Sequence, residues 1–261
     1  MTLIAVDGNA KTVKGQKYGV ITGIMYLSPS DLSGKVNVCP MAEAAGCKEG
    51  CLNTAGRGVM SPVQKGRLRK TLYYFNQYED FMNELVKDIL NISNKAKKLD
   101  VVPMIRLNGT SDIVWERKGF TLNEKMAKRL GKKAIYYNNL MELFPEVQFY
   151  DYTKIAGRFN DKLPKNYDLT FSYSGVQSYA KQVELAVKKG ARIAVVFRDD
   201  NYPEKFMGMP VVDGDEHDIR PFNPKGSIVG LKAKGKAIKD ASGFVVDTVT
   251  AQLSQNNAVV S

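Results

Sequence analysis

The chain has 261 residues, 44% hydrophobic and 25% charged, proportions that suit a folded chain with a sizeable core and exclude low-complexity or collagen-like sequence. Its 38 Lys and Arg outnumber its 27 Asp and Glu for a net charge of +11, so anionic partners are favoured, nucleic acid included. No apolar stretch approaches the roughly 20 residues that a membrane-spanning helix needs, and no membrane partner is expected.

Residues 1–17 hold acidic and polar groups where a signal peptide needs an apolar stretch, so an irregular start and a cytoplasmic location are expected. Residues 18–27 (YGVITGIMYL) are apolar and bounded by turn residues, which predicts a buried strand. A long loop follows, and Ser61-Pro62 then opens a helix. Phe75, Tyr78, Met82, Leu85, Ile89 and Ile92 recur at spacings of three and four, which extends that helix into the low 90s. Residues 101–107 (VVPMIRL) predict a second strand, against which Pro103 is a mild objection, and the polar run Asn108-Gly109-Thr110-Ser111-Asp112 comes next. Helices are expected over 121–130 and 132–144, and a third strand over 146–150 leads into Asp151-Tyr152-Thr153-Lys154. A fourth strand over 167–171 precedes Ser172-Tyr173-Ser174-Gly175. A helix over 176–189 and a fifth strand over 192–197 then end at Arg198-Asp199-Asp200. Beyond lie an acidic turn at 211–218, short strands at 227–231 and 243–249, and a frayed tail after Thr250.

Strands alternating with helices imply parallel pairing. The expected fold is α/β: a partial (β/α) TIM-like barrel or a curved parallel sheet over 18–200, with an irregular, β-containing segment over 201–261 packed on it, all in a single domain. The polar runs follow strands, so Asn108, Ser111, Asp112, Asp151, Lys154, Ser172, Ser174, Arg198 and Asp199 would gather at one rim, where such folds bind ligands. The basic residues fall in scattered groups at 65–70, 95–98, 128–133, 188–192 and 232–239. Several lie at expected helix C-termini, where cations suit the helix dipole; a nucleic-acid groove is the other reading.

The three cysteines, Cys39, Cys47 and Cys51, all lie in the loop over 36–58, and three thiols in one loop suggest metal ligation rather than a disulfide framework. Their spacing is Cys-x7-Cys-x3-Cys. A zinc site would need a fourth ligand, for which His217 is the one histidine. A four-iron–four-sulfur cluster held by three thiolates would keep one iron open for a chelating small molecule, unlike an electron carrier whose irons are all protein-ligated. Three small hydrophobes packed in a core are the plain alternative. Arg57, between Gly56 and Gly58, serves either an anion or a tight turn.

A cysteine loop placed directly after the first strand of a (β/α) fold resembles the radical S-adenosylmethionine enzymes, although their usual spacing is Cys-x3-Cys-x2-Cys. The residue pattern also resembles an uncharacterised phage family, the gene product 88-like proteins. It does so through Gly34-Lys35 before Cys39-Pro40, Cys47-Lys48-Glu49-Gly50-Cys51-Leu52-Asn53, and Arg106-Leu107-Asn108-Gly109-Thr110-Ser111-Asp112. These resemblances imply a phage protein in the host cytoplasm that holds a 4Fe-4S cluster on Cys39, Cys47 and Cys51. They also imply S-adenosylmethionine at the open iron, for radical modification of a small or nucleotide-like substrate. Asn108, Ser111 and Asp112 would then hold the amino end of the cofactor, unless they serve as a cap or Asx turn. Asp151 and Lys154 would bind ribose and carboxylate, or pair with each other, and Arg198 suits a carboxylate or phosphate. The alternative function is a non-catalytic iron–sulfur or zinc protein that binds nucleic acid or a host protein.

Overall fold

In a computed structural model of the chain, residues 1–6, 10–160, 162–249 and 251 are described. They group into two compact units: Met1–Val38, Ser61–Asp151 and Lys162–Asp168 form the first, and Cys39–Met60, Tyr152–Asp161 and Leu169–Ser261 form the second. The expected tail after Thr250 lies outside the described residues except at Ala251.

The first unit begins with β1 (Ile4–Val6), α1 (Ala10–Gly15) and β2 (Val20–Met25). Regular elements therefore stand at 4–6 and 10–15 where irregular chain was expected; three residues are too short to show the alternation that marks a strand. α2 (Ser61–Asn76), α3 (Tyr78–Leu99) and β3 (Val102–Arg106) follow. Next come β4 (Phe120–Thr121), α4 (Glu124–Leu130), β5 (Tyr136–Tyr137), α5 (Leu140–Leu143) and β6 (Gln148–Thr153). The strand order is β1-β2-β3-β6, with β1 antiparallel to β2 and the other pairings parallel. The second helix expected over 132–144 is instead β5 plus the single turn of α5, because Asn139 breaks the run and caps α5 through Glu142 N–H.

β2 is buried along its whole length, as a parallel strand covered on both faces must be. Gly23 has no room for a side chain, since a Cβ there would stand 2.7 Å from both Ile4 and Ile92. Pro103 is tolerated in β3 because the ladder to β6 starts one residue later, at Met104 opposite Gln148.

The single helix expected from Ser61 to the low 90s is broken at Gln77, whose φ of −142° is not helical. The break folds α2 onto α3 around aromatic rings: Tyr74 meets Phe81 at 5.2 Å, Tyr78 at 5.5 Å and Trp115 at 5.6 Å, all edge-on. In one straight helix, residues seven apart rise about 10.5 Å along the axis, too far for the Tyr74–Phe81 contact. Phe75, counted on the apolar face in the sequence, is exposed. α3 buries Phe81, Met82, Leu85, Val86, Ile89, Ile92 and Ala96, carries Glu79 and Asp80 in its first turn and Lys97 and Lys98 in its last, and ends at Asp100 in the left-handed region.

The second unit contains β7 (Tyr167–Ser172, which starts in the first), α6 (Ala180–Lys188), β8 (Arg192–Phe197), β9 (Lys205–Phe206), β10 (Met209–Asp213) and β11 (Ile228–Lys232). The strand order is β7-β8-β11-β10-β9, parallel except for the β9–β10 hairpin, whose Met207-Gly208 turn has positive φ at both residues. The core under this sheet includes Phe171 stacked on Tyr179, with Val183, Ile193, Val195, Phe197 and Ile228. The segment 243–249, expected as a strand, makes only one isolated bridge, Phe197 with Val246. The α/β class and parallel pairing thus stand. Among the described residues neither run of strands closes into a barrel, and no helix is long and apolar enough to cross a membrane.

β1 is anchored by one carboxylate. Asp88 of α3 is buried and accepts the backbone N–H groups of Leu3 at 2.6 Å and Ile4 at 3.1 Å, while Lys70 of α2 donates to the Leu3 carbonyl at 2.6 Å. Burial pushes the Lys70 ammonium below its ordinary pKa, and Asp88 opposes that shift. Asp88→Ala leaves two buried amides without acceptors and is expected to cost about 2–4 kcal/mol in a urea melt, whereas a loss under about 0.5 kcal/mol would show that β1 is held by packing alone.

Candidate functional site

The cysteine loop is a chain of tight turns in the second unit. Ala42 N–H donates to the Cys39 carbonyl, Ala45 to Met41, Gly46 to Glu43 and Cys47 to Ala42, so the peptide groups close on each other every three to five residues. The carbonyls at its crest are held from outside the loop: Ser178 Oγ donates to Ala44 at 2.9 Å, Ser174 Oγ to Ala45 at 2.8 Å, and Ser242 Oγ reaches Gly46 at 3.2 Å. Gly46 has φ +63°, and a Cβ there would stand 2.6 Å from Ser242 Oγ, so only glycine fits. At the other end, both the N–H and the hydroxyl of Thr54 donate to the Cys51 carbonyl, at 2.9 and 2.8 Å.

Cys39, Cys47 and Cys51 are all half-buried and none is in a disulfide. Cys47 Sγ lies 3.7 Å from the Ala42 carbonyl, and its side chain packs against two hydrophobic clusters, one containing Phe171 and Tyr179 and the other containing Ala237 and Phe244. By type and number the thiols suit a three-thiolate ligand set. By arrangement they are not assembled: among the described residues no group of three or more His, Cys, Asp or Glu side chains is placed to hold a metal ion. His217 is buried, and its Nδ1 accepts the Ile219 N–H at 3.2 Å. Arg57 is exposed in its glycine turn.

Lys154 and Ser172 come together in the same unit. The Lys154 ammonium lies 3.2 Å from Ser172 Oγ and 3.3 Å from the Ser172 carbonyl, over the rings of Tyr179 (5.2 Å) and Phe244 (4.9 Å). Tyr179 belongs to one and Phe244 to the other of the two clusters that Cys47 packs against. Arg198 directs its guanidinium to the carbonyls of Ile238 at 2.8 Å and Asp240 at 2.9 Å, and Asp199 accepts from the Thr248 hydroxyl at 2.7 Å. Tyr179, Ser178, Asp240, Ser242 and Phe244 were not picked out from the sequence; the pattern Asp240-Ala241-Ser242-Gly243 is the one signal there, an Asx-type turn.

Asn108, Ser111, Asp112 and Asp151 belong to the first unit and are buried, and the polar atoms of Asn108, Ser111 and Asp151 are engaged within the chain. Asn108 Oδ1 accepts from Ser111 Oγ at 2.8 Å, Ile113 N at 3.0 Å and Trp115 Nε1 at 3.0 Å, and its Nδ2 donates to the Ile113 carbonyl at 2.9 Å. Asp151 was expected after a strand but lies within β6. It is fully buried, accepting Asn108 N–H at 2.7 Å on one oxygen and the Tyr167 hydroxyl at 2.8 Å on the other. Asp112 N–H donates to the Val38 carbonyl at 2.7 Å.

Asp240 links the cysteine loop to its support. Burial opposes its ionisation, but hydrogen bonds from Val245 N–H and Ser242, with the Arg198 charge, outweigh burial and hold the carboxyl below its ordinary range. A carboxyl so depressed adds stability at pH values above its unfolded pKa and loses it as pH falls through the folded one. Urea melts should therefore show Asp240→Asn less stable than the parent from about pH 5 to 8, the gap closing below about pH 4; an equal gap at pH 3 and 7 would remove the carboxylate from this role.

A family model described as Gene product 88 matches residues 2–248, and no curated protein and no solved structure matches the chain. With nearly the whole chain covered, the protein belongs to the gene product 88 family.

Proposed function

We propose that this is an iron–sulfur protein of phage origin, acting in the host cytoplasm. Cys39, Cys47 and Cys51 hold a four-iron–four-sulfur cluster and leave one iron to a chelating small molecule such as S-adenosylmethionine. The observation that carries this reading is the placement of all three thiols, half-buried and outside any disulfide, in one loop whose carbonyls are held by Ser174 and Ser178. Metal binding couples to folding, so unassembled sulfurs on a held backbone are compatible with ligation that closes the loop. When bound, the cluster supplies an electron and an open coordination position. The chain's own contribution is positive charge from Lys154, held over the Tyr179 and Phe244 rings in the same unit, which suits an anionic cluster or a ligand carboxylate. Cleavage of S-adenosylmethionine and radical modification of a small or nucleotide-like substrate are the reaction this site would serve.

Anaerobic purification with iron, sulfide and visible-absorption analysis is the test. About four irons and four sulfides per chain are expected, lost on Cys47→Ala, with alkylation of the three thiols slowed in the loaded protein. Stoichiometric zinc, or a metal-free protein after reconstitution, overturns the cluster. A loaded protein that does not release 5′-deoxyadenosine on reduction with S-adenosylmethionine overturns only the reaction.

A further inference from the structure

α2 is a helix of 16 residues that contains Lys65, Arg67, Arg69 and Lys70 and no Asp or Glu. α3, α4 and α6 end on basic residues, Lys97 and Lys98, Lys128 and Arg129, and Lys188, where the helix dipole accounts for them, and their earlier lysines, Lys87, Lys95, Lys125 and Lys181, share those helices with Asp or Glu. α2 has no basic residue in its last turn, and its cations begin in the second turn, so that account does not apply. Two of the four are used within the fold: Arg67 lies over the Tyr26 ring at 5.0 Å, and Lys70 donates to the Leu3 carbonyl. Lys65 and Arg69 are exposed and, among the described residues, make neither an ion pair nor a hydrogen bond. With Ser61, Pro62 and Leu68 they line a groove of about 490 Å³.

We propose that this face of α2 docks the phosphate backbone of a nucleic acid, without reading its sequence. Residues 65 and 69 share a helix face and stand about 6 Å apart along the axis. That spacing lets each meet its own phosphate on a strand with one charge per ~3.4 Å of its length. Ser61 adds a hydroxyl of the kind that joins Lys and Arg in backbone contacts, and the surplus of +11 draws a polyanion to the surface. A membrane surface fits less well, because a helix that lies in lipid needs a broad apolar face, and Phe75 is the one large apolar side chain that α2 exposes. The groove lies in the first unit and the cysteines in the second.

The test is fluorescence anisotropy of the full chain with a labelled random-sequence DNA duplex, and with one of its single strands, over a range of salt. The Lys65→Glu, Arg69→Glu pair is expected to weaken binding by at least about tenfold and to lower the slope of log affinity against log salt by about two. Lys65→Gln with Arg69→Gln removes the same contacts without adding repulsion, and should lower the slope equally. Lys132→Glu with Lys133→Glu makes the same charge change at exposed residues of another segment and should weaken binding far less. Failure of the parent to bind either form, equal weakening by the two Glu pairs, or tight binding of polyglutamate in place of DNA overturns the proposal.

Discussion

Every backbone amide and carbonyl taken out of water must find a partner, and in this protein much of that pairing falls to short polar side chains in loops and at element ends. Asp88 takes the amides of Leu3 and Ile4 where β1 begins, Asn108 and Asp151 tie the turn after β3, and Ser174 and Ser178 take carbonyls of the cysteine loop. Asn166 lies near the carbonyls of Met141, Phe144 and Val147, at 3.2, 2.9 and 3.1 Å. Regular structure covers only part of this chain, and loops that run through buried surroundings would otherwise leave polar groups stranded at a cost of about 1–3 kcal/mol each. The parallel ladders can exist because these side chains settle the accounts of the loops between them.

That constraint explains why polar runs after strands are ambiguous in a sequence. A ligand site and a buried turn call for the same residues, Asn, Ser, Asp and Thr, in the same places. Asn108 and Asp151 looked like groups waiting for a cofactor, yet their hydrogen-bonding atoms face the chain. Lys154 differs, since its ammonium reaches Ser172 over the rings of Tyr179 and Phe244, an arrangement no spacing rule encodes. What separates the two roles is which atoms are already engaged, and that is settled by residues distant in sequence, such as Tyr167 for Asp151 and Ser242 for Gly46.

The elements themselves were legible where a long pattern was under one influence. β2, β8 and β11 are apolar runs between turn residues, and the α3 periodicity marks its buried face within a residue or two. Pattern failed where tertiary packing intervenes. The helix bends at Gln77 because Tyr74, Phe81 and Trp115 prefer one shared cluster, and nothing at Gln77 itself announces a break. The strands β1, β4 and β5 are too short for alternation, and β1 exists because Asp88 and β2 give its amides and carbonyls partners.

The cysteine loop combines a held backbone with uncommitted sulfur. Its carbonyls are fixed by serines from separate segments, and its glycines at 46 and 50 let it lie against Ser242 and Ala237 without side-chain interference. A loop shaped only to fill space would gain more from apolar side chains in full contact than from half-buried thiols, which surrender part of their hydrophobic contribution. The frame therefore restricts where the three sulfurs can go without bringing them together, and that restriction would lower the ordering entropy for any ligand that gathered them. In this respect the serines are as much a part of the candidate site as the cysteines, because they fix the backbone from which any closure must start.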